Sequence, residues 1–317
     1  MASNASKKVI FAALFGNLLI SVTKFAASII TASSAMLSEA IHSLVDTGNQ
    51  VLLLYGLRRA AKPADQMHPF GYGKELYFWS FIVAIMVFAV GAGISAYEGI
   101  HRVMNPQPVT DAYINYIVLG LAMVFEGYVW WIAYKEFSVI RGDQPFIKAI
   151  RDSKDPTVIT VLFEDSAAML GLMVAFIGVA ISDFYQLPVF DGIASLFIAV
   201  ILALTASFLA FECKGLLIGE GAHPETIASI RAIIDEDDRI ENINQILTIH
   251  FGPQDILLNV SLDFVDGLPS EKVEAAVTYM EARIKAKHSE VSRIFIEAQH
   301  CADVKAAVAA DIAKQAD

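Results

Sequence analysis

The sequence predicts an α-helical membrane bundle of six transmembrane helices followed by a small cytosolic α+β domain. Hydrophobic residues make up 56% of the 317 residues and charged residues 18%, whereas soluble domains carry about a quarter charged residues. The apolar residues are grouped into runs of about 20, the length that crosses a hydrocarbon core of about 30 Å. These runs stop after residue 211, where shorter amphipathic patterns begin. We therefore predict a membrane domain at 1–212 and a soluble domain at 213–300.

Six apolar segments are the predicted spans, and basic residues set their orientation. The spans cover approximately residues 9–31, 33–57, 77–99, 113–134, 158–181 and 188–211. Eleven Lys and Arg lie before the first span and in the second and fourth loops, whereas Arg102 alone occupies the opposite loops. The positive-inside rule then predicts that both termini face the cytosol. In a bacterial source, the membrane would be the cell or inner membrane.

The soluble domain is predicted as a ferredoxin-like unit in the order helix, strand, strand, helix, strand. Helical spacing marks Pro224–Asp235 and Ser270–Lys287, and strand patterns mark Gln245–His250, Ile256–Phe264 and Val291–Ala298. From Leu216 onward the chain has 18 acidic and 9 basic residues, a balance that argues against nucleic-acid binding. Residues 301–317 are predicted to form a flexible tail.

Two predicted spans carry ionisable side chains at spacings that suit a metal ion. His42 and Asp46 are four residues apart in the second span, so on a helix they share one face about 5–6 Å apart. An imidazole and a carboxylate in this relation can supply two corners of a tetrahedral site. Glu39 lies on the same stripe one turn away, and the fifth span places Glu164 and Asp165 inside an apolar run.

The balance of buried charges favours a cation site over internal pairing. Ionisable groups are costly inside a membrane, so they indicate an ion pathway unless each finds a partner on another helix. The intramembrane bases available for such pairing are Lys24 and His42, which leaves an excess of acids that a divalent cation would neutralise. Two roles remain open for Glu126 in the fourth span: it could pair with Lys24, or it could take part in proton movement. The two cysteines, Cys213 and Cys301, are too few for a thiolate site.

Two motifs together resemble the cation diffusion facilitator family. Ser34–Thr47 contains the His-x-x-x-Asp pattern, and His68–Glu75 spells HPFGYGKE in the loop that follows. The similarity extends from about Val9 to Gln299 and covers the six spans and the soluble domain. It implies a homodimeric secondary transporter that exchanges protons for zinc, or in some branches for manganese, iron or cobalt, across a lipid bilayer. The metal is then the substrate, and no organic cofactor is implied.

The resemblance implies a central site with two ligands from the second span and two from the fifth. His42 and Asp46 match the first pair and Asp165 matches the last ligand, but Val161 stands at the remaining position and cannot coordinate. Glu164 is the first candidate to replace it, and a water molecule or the acid one turn before His42 are the others. Zinc is the metal expected first. Because oxygen-rich sites suit manganese or iron, these metals remain open as well.

The resemblance also implies accessory metal positions outside the membrane. In the loop between spans two and three, Asp65 and His68 match two ligands, whereas Tyr72 replaces a histidine. In the soluble domain, His250 matches one ligand position and Glu297 a second. Both sets are incomplete, so we expect weak binding there.

A charged pair is implied at the hinge between bundle and soluble domain. Lys74 and Glu220 match the family positions that form this link. A surface ion pair contributes only about 0–1 kcal/mol, so the pair would position a hinge without locking it.

The predicted mechanism is alternating access at the intramembrane site. Metal ligands must be deprotonated to bind, so protons and metal ions compete for the same groups and a pH gradient can drive export. The candidate proton carriers are His42, Asp46, Asp165, Glu39 and Glu126.

Three alternative functions can be weighed against metal export. A membrane metalloenzyme needs a catalytic zinc with an open position and a general base, and the sequence lacks a His-Glu-x-x-His motif. A non-transporting metal sensor or heteromer subunit is supported by the apolar Val161. A channel for monovalent cations is disfavoured, because a His/Asp site binds too tightly for rapid passage.

Overall fold

The computed structural model describes residues 4–109 and 111–301, so nearly all of the predicted tail at 301–317 lies outside the described residues. The chain divides into two compact units. The first comprises the chain up to Ala61 together with Glu75–Lys214, and the second comprises Lys62–Lys74 together with the chain from Gly215 onward.

The regular secondary structure of the first unit is helical, and short loops join its helices. Its helices are α1 Asn4–Thr31, α2 Ser34–Ala60, α3 Glu75–Met86, α4 Gly93–Met104, α5 Ala112–Arg141, α6 Phe146–Asp152, α7 Pro156–Tyr185 and α8 Val189–Ile218. A π-helical segment at Val87–Ala92 joins α3 to α4. The short α6 was not predicted, because its seven residues are too few to show a helical period within a polar loop.

Within the described residues, four helical segments are long and apolar enough to cross a membrane. They are Glu75–Met104, Ala112–Val139, Pro156–Tyr185 and Val189–Ile218, and they coincide with the third to sixth predicted spans. Helices α1 and α2 have 28 and 27 residues, which is also a spanning length. The apolar stretch recognised in α1, Gly16–Thr31, is shorter, and α2 is interrupted by polar side chains. A six-span bundle therefore stays a prediction for these two helices.

Side-chain packing in the first unit separates an apolar interior from an equally apolar exterior. Met36, Leu172 and Ile198 are fully buried members of one cluster. On the outer surface, Ile29 is 79% exposed and Val124 is 75% exposed. Many exposed apolar side chains on one unit suit a helix bundle whose solvent is lipid.

Side chains at two helix starts explain where α2 and α7 begin. The Ser33 hydroxyl accepts a hydrogen bond from the Met36 N–H and so caps α2. Asp155 accepts a hydrogen bond from the Thr157 N–H, with Pro156 in the first turn of α7. Both are the residue types that satisfy the unpaired amides of a helix start. These caps fix the two helices that carry the predicted ligands.

The second unit is a small α+β domain. Its elements are α9 Pro224–Asp235, β1 Ile240–Gly252, β2 Asp255–Phe264, α10 Ser270–Lys287 and β3 Val291–Ala298. Strand β2 lies in the middle of the sheet, antiparallel to β1 and parallel to β3. Alternate β2 residues such as Leu258 and Val260 are buried in one core with Ile230 of α9 and Met280 of α10.

Strand β1 begins at Ile240, earlier than the predicted Gln245. The added segment contains Asn242 and Asn244, whose polarity hides the strand pattern. It nevertheless pairs with β2, through Ile240 with Phe264 and Asn242 with Asp263, around a register irregularity. The backbone hydrogen bonds of the sheet therefore override a weak local preference.

The loop Lys62–Lys74 packs within the second unit. The rings of Phe70 and Phe251 stack with centroids 5.0 Å apart, and Arg293 Nη1 donates a hydrogen bond to the Phe70 carbonyl at 3.3 Å. At Gly73, an added Cβ would lie 2.3 Å from the Phe251 carbonyl oxygen. The glycine thus permits a backbone approach that a larger residue would block.

Candidate metal centre

Helix α2 places the predicted imidazole and carboxylate side by side. His42 is 1% exposed and Asp46 is 7% exposed. The His42 Nδ1 atom lies 3.5 Å from Asp46 Oδ1, as expected for side chains one turn apart. A buried base and a buried acid in this relation offer one nitrogen and two oxygens to a cation.

Helix α7 packs against α2 and carries the second predicted pair of side chains, which are both acids. Glu164 and Asp165 are both buried. Asn49 of α2 donates a hydrogen bond from Nδ2 to Glu164 Oε1 at 2.7 Å. Asn49 is not among the residues predicted from the sequence, although its position three residues after Asp46 and seven after His42 places it on the same helix face. The structure thus joins the two ligand-bearing helices through an amide.

Several buried atoms at this centre have no hydrogen-bond partner within the described residues. They are both ring nitrogens of His42, Asp46 Oδ1 and Asp165 Oδ2. A buried polar atom without a partner costs about 1–3 kcal/mol, so proteins keep few of them outside functional sites. Imidazole nitrogen and carboxylate oxygen are also the donor types that bind zinc and other divalent ions.

The predicted four-ligand site is not assembled as a closed cage. Across the described parts of the chain, no group of three or more His, Cys, Asp and Glu side chains is close enough to hold a metal ion. His42, Asp46, Glu164 and Asp165 would have to converge further to bind one ion together. Val161 packs with the apolar cluster around Phe137 and so contributes to the core. The ligand set therefore stays a prediction.

Glu39 has a different environment from the acids of the centre. Lys24 Nζ lies 3.1 Å from Glu39 Oε2 and 2.7 Å from the Ser43 hydroxyl, and both charged side chains are fully buried. Gly171 of α7 leaves room for this pair, since an added Cβ would lie 2.3 Å from Glu39 Oε1. Glu126 is 2% exposed on α5, and its role stays a prediction.

The loop residues predicted to bind a second metal form their own hydrogen-bonded turn. Asp65 Oδ1 accepts hydrogen bonds from the Met67 and His68 amides, and Tyr72 donates to Asp65 Oδ2 at 2.6 Å. The Tyr72 hydroxyl holds the pKa of Asp65 below its usual range. His68 Nδ1 lies 3.5 Å from Asp65 Oδ1, and both side chains are about half exposed. This arrangement is an Asx-type turn around one carboxylate.

The predicted ligands of the soluble domain lie on separate strands. His250 is buried at the end of β1, with Nδ1 3.1 Å from the Gly252 carbonyl oxygen. Glu297 lies on β3 opposite Ser261 of β2, and the Ser261 hydroxyl donates to Gln299 Oε1 at 3.0 Å. A metal site here stays a prediction.

The predicted hinge residues both belong to the second unit. Lys74 Nζ lies 5.3 Å from the Phe251 ring centroid, in cation–π geometry. The Glu220 carbonyl accepts a hydrogen bond from the His250 N–H at 2.9 Å. An ion pair between Lys74 and Glu220 stays a prediction.

Comparison with known proteins places this arrangement in a family. The model of the cation efflux transmembrane domain matches residues 10–218, a range that includes all the residues of the candidate centre. The mouse protein named proton-coupled zinc antiporter SLC30A9, mitochondrial, is 31% identical over 259 residues, which cover 81% of this chain and 46% of that protein. The manganese efflux system protein MneP of Bacillus subtilis is 27% identical over 295 residues, which cover 92% of this chain and 95% of that protein.

A plant relative extends the same pattern. Metal tolerance protein C4 of Arabidopsis thaliana is 28% identical over 263 residues, which cover 82% of this chain and 57% of that protein. The chain spans about half the length of the mammalian relatives it matches, 46% in the mouse protein. The family model covers most of the chain, from α1 to the end of α8. The chain therefore belongs to the cation diffusion facilitator family, a family of membrane transporters rather than enzymes.

Proposed function

We propose that this protein exports a divalent metal ion, zinc first, by proton antiport. The observation that carries the proposal is the set of buried donor atoms on α2 and α7 that lack hydrogen-bond partners in the described structure: those of His42, Asp46 and Asp165. Inside a membrane, such groups suit a cation pathway because each is too costly to keep without a ligand or a partner.

The donor set supports a first-row divalent metal ion without choosing one. One imidazole with two carboxylates forms a zinc site when a fourth donor completes the tetrahedron. A further carboxylate from Glu164 would suit manganese or iron, which accept more oxygen ligands. The relatives' names point the same two ways, because one is named for zinc and another for manganese.

The proposed architecture is a homodimer of six-span subunits with both termini in the cytosol. The 28 and 27 residues of α1 and α2 are enough to cross a bilayer, which supports their role as the first two spans. His42, Asp46 and Asn49 of the candidate centre are among the polar residues that make α2 less apolar. The concentration of Lys and Arg on one side supports the orientation.

The proposed mechanism is competition between protons and metal for one set of donor atoms. Metal entering from the cytosol displaces protons from His42, Asp46 and Asp165, and protons entering from the other side displace the metal. Each ligand favours the conformation to which it binds more tightly, so exchange drives alternating access. Glu39 and Glu126 are further proton-carrier candidates, although Glu39 already pairs with Lys24.

Metal flux in proteoliposomes tests the proposal. We expect the purified protein to move zinc when a pH gradient is imposed and to stop when a proton ionophore removes the gradient. Asp46→Asn should reduce flux at least about 100-fold, because it removes a charged donor. The exposed Asp143→Asn is the matched control and should transport normally. The absence of flux for every metal tested would refute the proposal.

A second candidate is metal sensing without transport. It is favoured by the apolar Val161 at a ligand position and by the lack of a three-ligand group among the described side chains. Calorimetry with the same protein separates the two functions. Zinc binding without flux would support sensing, whereas flux by the purified protein alone would exclude it.

A further inference from the structure

Asn49 joins the two helices that carry the predicted ligands. It is 1% exposed on α2, and its side-chain nitrogen donates to Glu164 Oε1 on α7 at 2.7 Å. Glu164 itself is 4% exposed, so the bond lies in the interior of the helix bundle. A hydrogen bond in such surroundings is electrostatically stronger than one in water.

The Asn49–Glu164 hydrogen bond shows toward which helix the Glu164 side chain points, which the sequence alone does not determine. Glu164 and Asp165 are adjacent on α7, so their side chains leave the helix about 100° apart. Asp165 matches a family ligand, and its neighbour points toward the centre only if another group turns it there. Asn49 provides that group, because it lies on the same face of α2 as His42 and Asp46.

We propose that Asn49 is a positioning residue that turns Glu164 toward the ligand face of α2. Glu164 then supplies the carboxylate oxygen that Val161 cannot. Partners that orient metal-binding carboxylates in this way typically change metal affinity about 10–100-fold when removed. This inference rests on the proposed function, since it concerns the site at which the metal is exchanged.

The proposal has a consequence for the choice of metal. Zinc accepts three protein ligands and a water molecule, so His42, Asp46 and Asp165 are sufficient for it. Manganese prefers six oxygen ligands and depends more on an added carboxylate. Loss of the Asn49–Glu164 bond should therefore weaken manganese transport more than zinc transport. A bond that only packed α2 against α7 would affect both metals alike.

A double-mutant cycle on the full-length protein in proteoliposomes tests this assignment. The variants are Asn49→Ala, Glu164→Gln and the two combined, each assayed for KM and kcat with zinc and with manganese. We expect each single variant to raise the manganese KM at least about tenfold and the zinc KM much less. The combined variant should be no worse than Glu164→Gln alone, because Asn49 acts through Glu164.

Two further variants serve as a control and as a substitute for Asn49→Ala. Gln50→Ala removes the neighbouring amide, whose oxygen has no hydrogen-bond partner in the described residues, and should leave the zinc-to-manganese ratio unchanged. If Asn49→Ala does not fold, Asn49→Ser also lacks the amide and carries the same expectation. Additive effects, or equal KM changes for both metals, would overturn the positioning role while leaving transport intact. An unsubstituted protein that moves neither metal would instead overturn the proposed function.

Discussion

Two buried aspartate clusters in the membrane unit differ in how completely the protein satisfies them. At the start of α8, Asp191 is fully buried and accepts hydrogen bonds from the Ser33 hydroxyl at 2.5 Å and from the Ser34 amide and hydroxyl at 2.6 and 2.9 Å. Arg102 Nε lies 3.6 Å from the same carboxylate. On α2 and α7, Asp46 Oδ1 and Asp165 Oδ2 accept no hydrogen bond in the described chain, although His42 Nδ1 lies 3.5 Å from Asp46 Oδ1.

The difference is the one expected between a structural carboxylate and a carboxylate that binds a metal ion or a proton. Asp191 replaces its hydration shell with donors from the first turn of α2 and with a guanidinium, so its burial stabilises the junction of the two helices. Asp46 and Asp165 have no comparable set of donors in the described chain, so their charged forms destabilise the fold unless a proton or a cation neutralises them. Both clusters contain buried aspartates, so the partners of each carboxylate distinguish them.

The largest expected effect is the loss of transport in Asp165→Asn. The amide keeps the shape of the side chain but removes a charged donor from the centre, so we expect zinc flux to fall at least about 100-fold. The free energy of unfolding should change by less than about 1 kcal/mol, because Asp165 Oδ2 has no hydrogen-bond partner to lose among the described residues. Flux in proteoliposomes and thermal unfolding in detergent measure the two effects. A large loss of stability would place Asp165 with Asp191 as a structural residue.

The opposite result is expected at the junction of α2 and α8. Asp191→Ala removes the acceptor of several hydrogen bonds and leaves Arg102 buried without its counter-ion, so the free energy of unfolding should fall by about 4 kcal/mol. Thermal unfolding tests this, with Asp183→Ala as the matched control. Asp183 accepts one partly buried hydrogen bond from Tyr116, and its loss should cost about 1 kcal/mol. An equal shift in both variants would contradict the structural role of Asp191.

A third, smaller effect is expected for the buried ion pair of Lys24 and Glu39. Lys24→Met leaves Glu39 buried without its ammonium and should lower the free energy of unfolding by about 3 kcal/mol. Lys24→Met combined with Glu39→Gln removes both charges and should recover most of that loss, because replacing a whole buried pair is often neutral. Thermal unfolding of the three proteins measures the recovery. If the combined variant were no more stable than the single one, Lys24 would stabilise the fold by something other than this pair.

Sequence patterns predict those features of this molecule that depend on residue spacing within one helix or strand. The His42–Asp46 contact follows from one turn of helix, and the helix and strand order of the soluble domain follows from periods of hydrophobicity. The start of β1 does not follow from such a pattern, because Asn242 and the residues around it are held in the sheet by pairing with β2. Patterns thus predict an element best where its own residues provide most of the stabilisation.

The contacts that distinguish structural from functional acids join distant parts of the chain. Asn49 and Glu164 are 115 residues apart, and Ser34 and Asp191 are 157 apart. Each acid looks the same in sequence, an acidic residue in an apolar run. The partner depends on which helices pack together, and a single sequence gives no direct information about that packing.

The smallest effect is expected in the loop Lys62–Lys74. There the Asp65 carboxylate is exposed and accepts hydrogen bonds from its own turn. Tyr72→Phe removes the hydrogen bond that contributes most to the lowered pKa of Asp65, so that pKa should rise toward its ordinary value. Because a lowered pKa favours the folded turn above the pKa of the unfolded chain, the variant should lose the ionised turn at a higher pH as the solution is acidified. Carboxyl NMR of the labelled protein measures this midpoint. At pH 7 Asp65 is ionised in both proteins, so the zinc KM should stay within about twofold. A larger change in KM at that pH would show that the Tyr72 hydroxyl takes part in handling the metal.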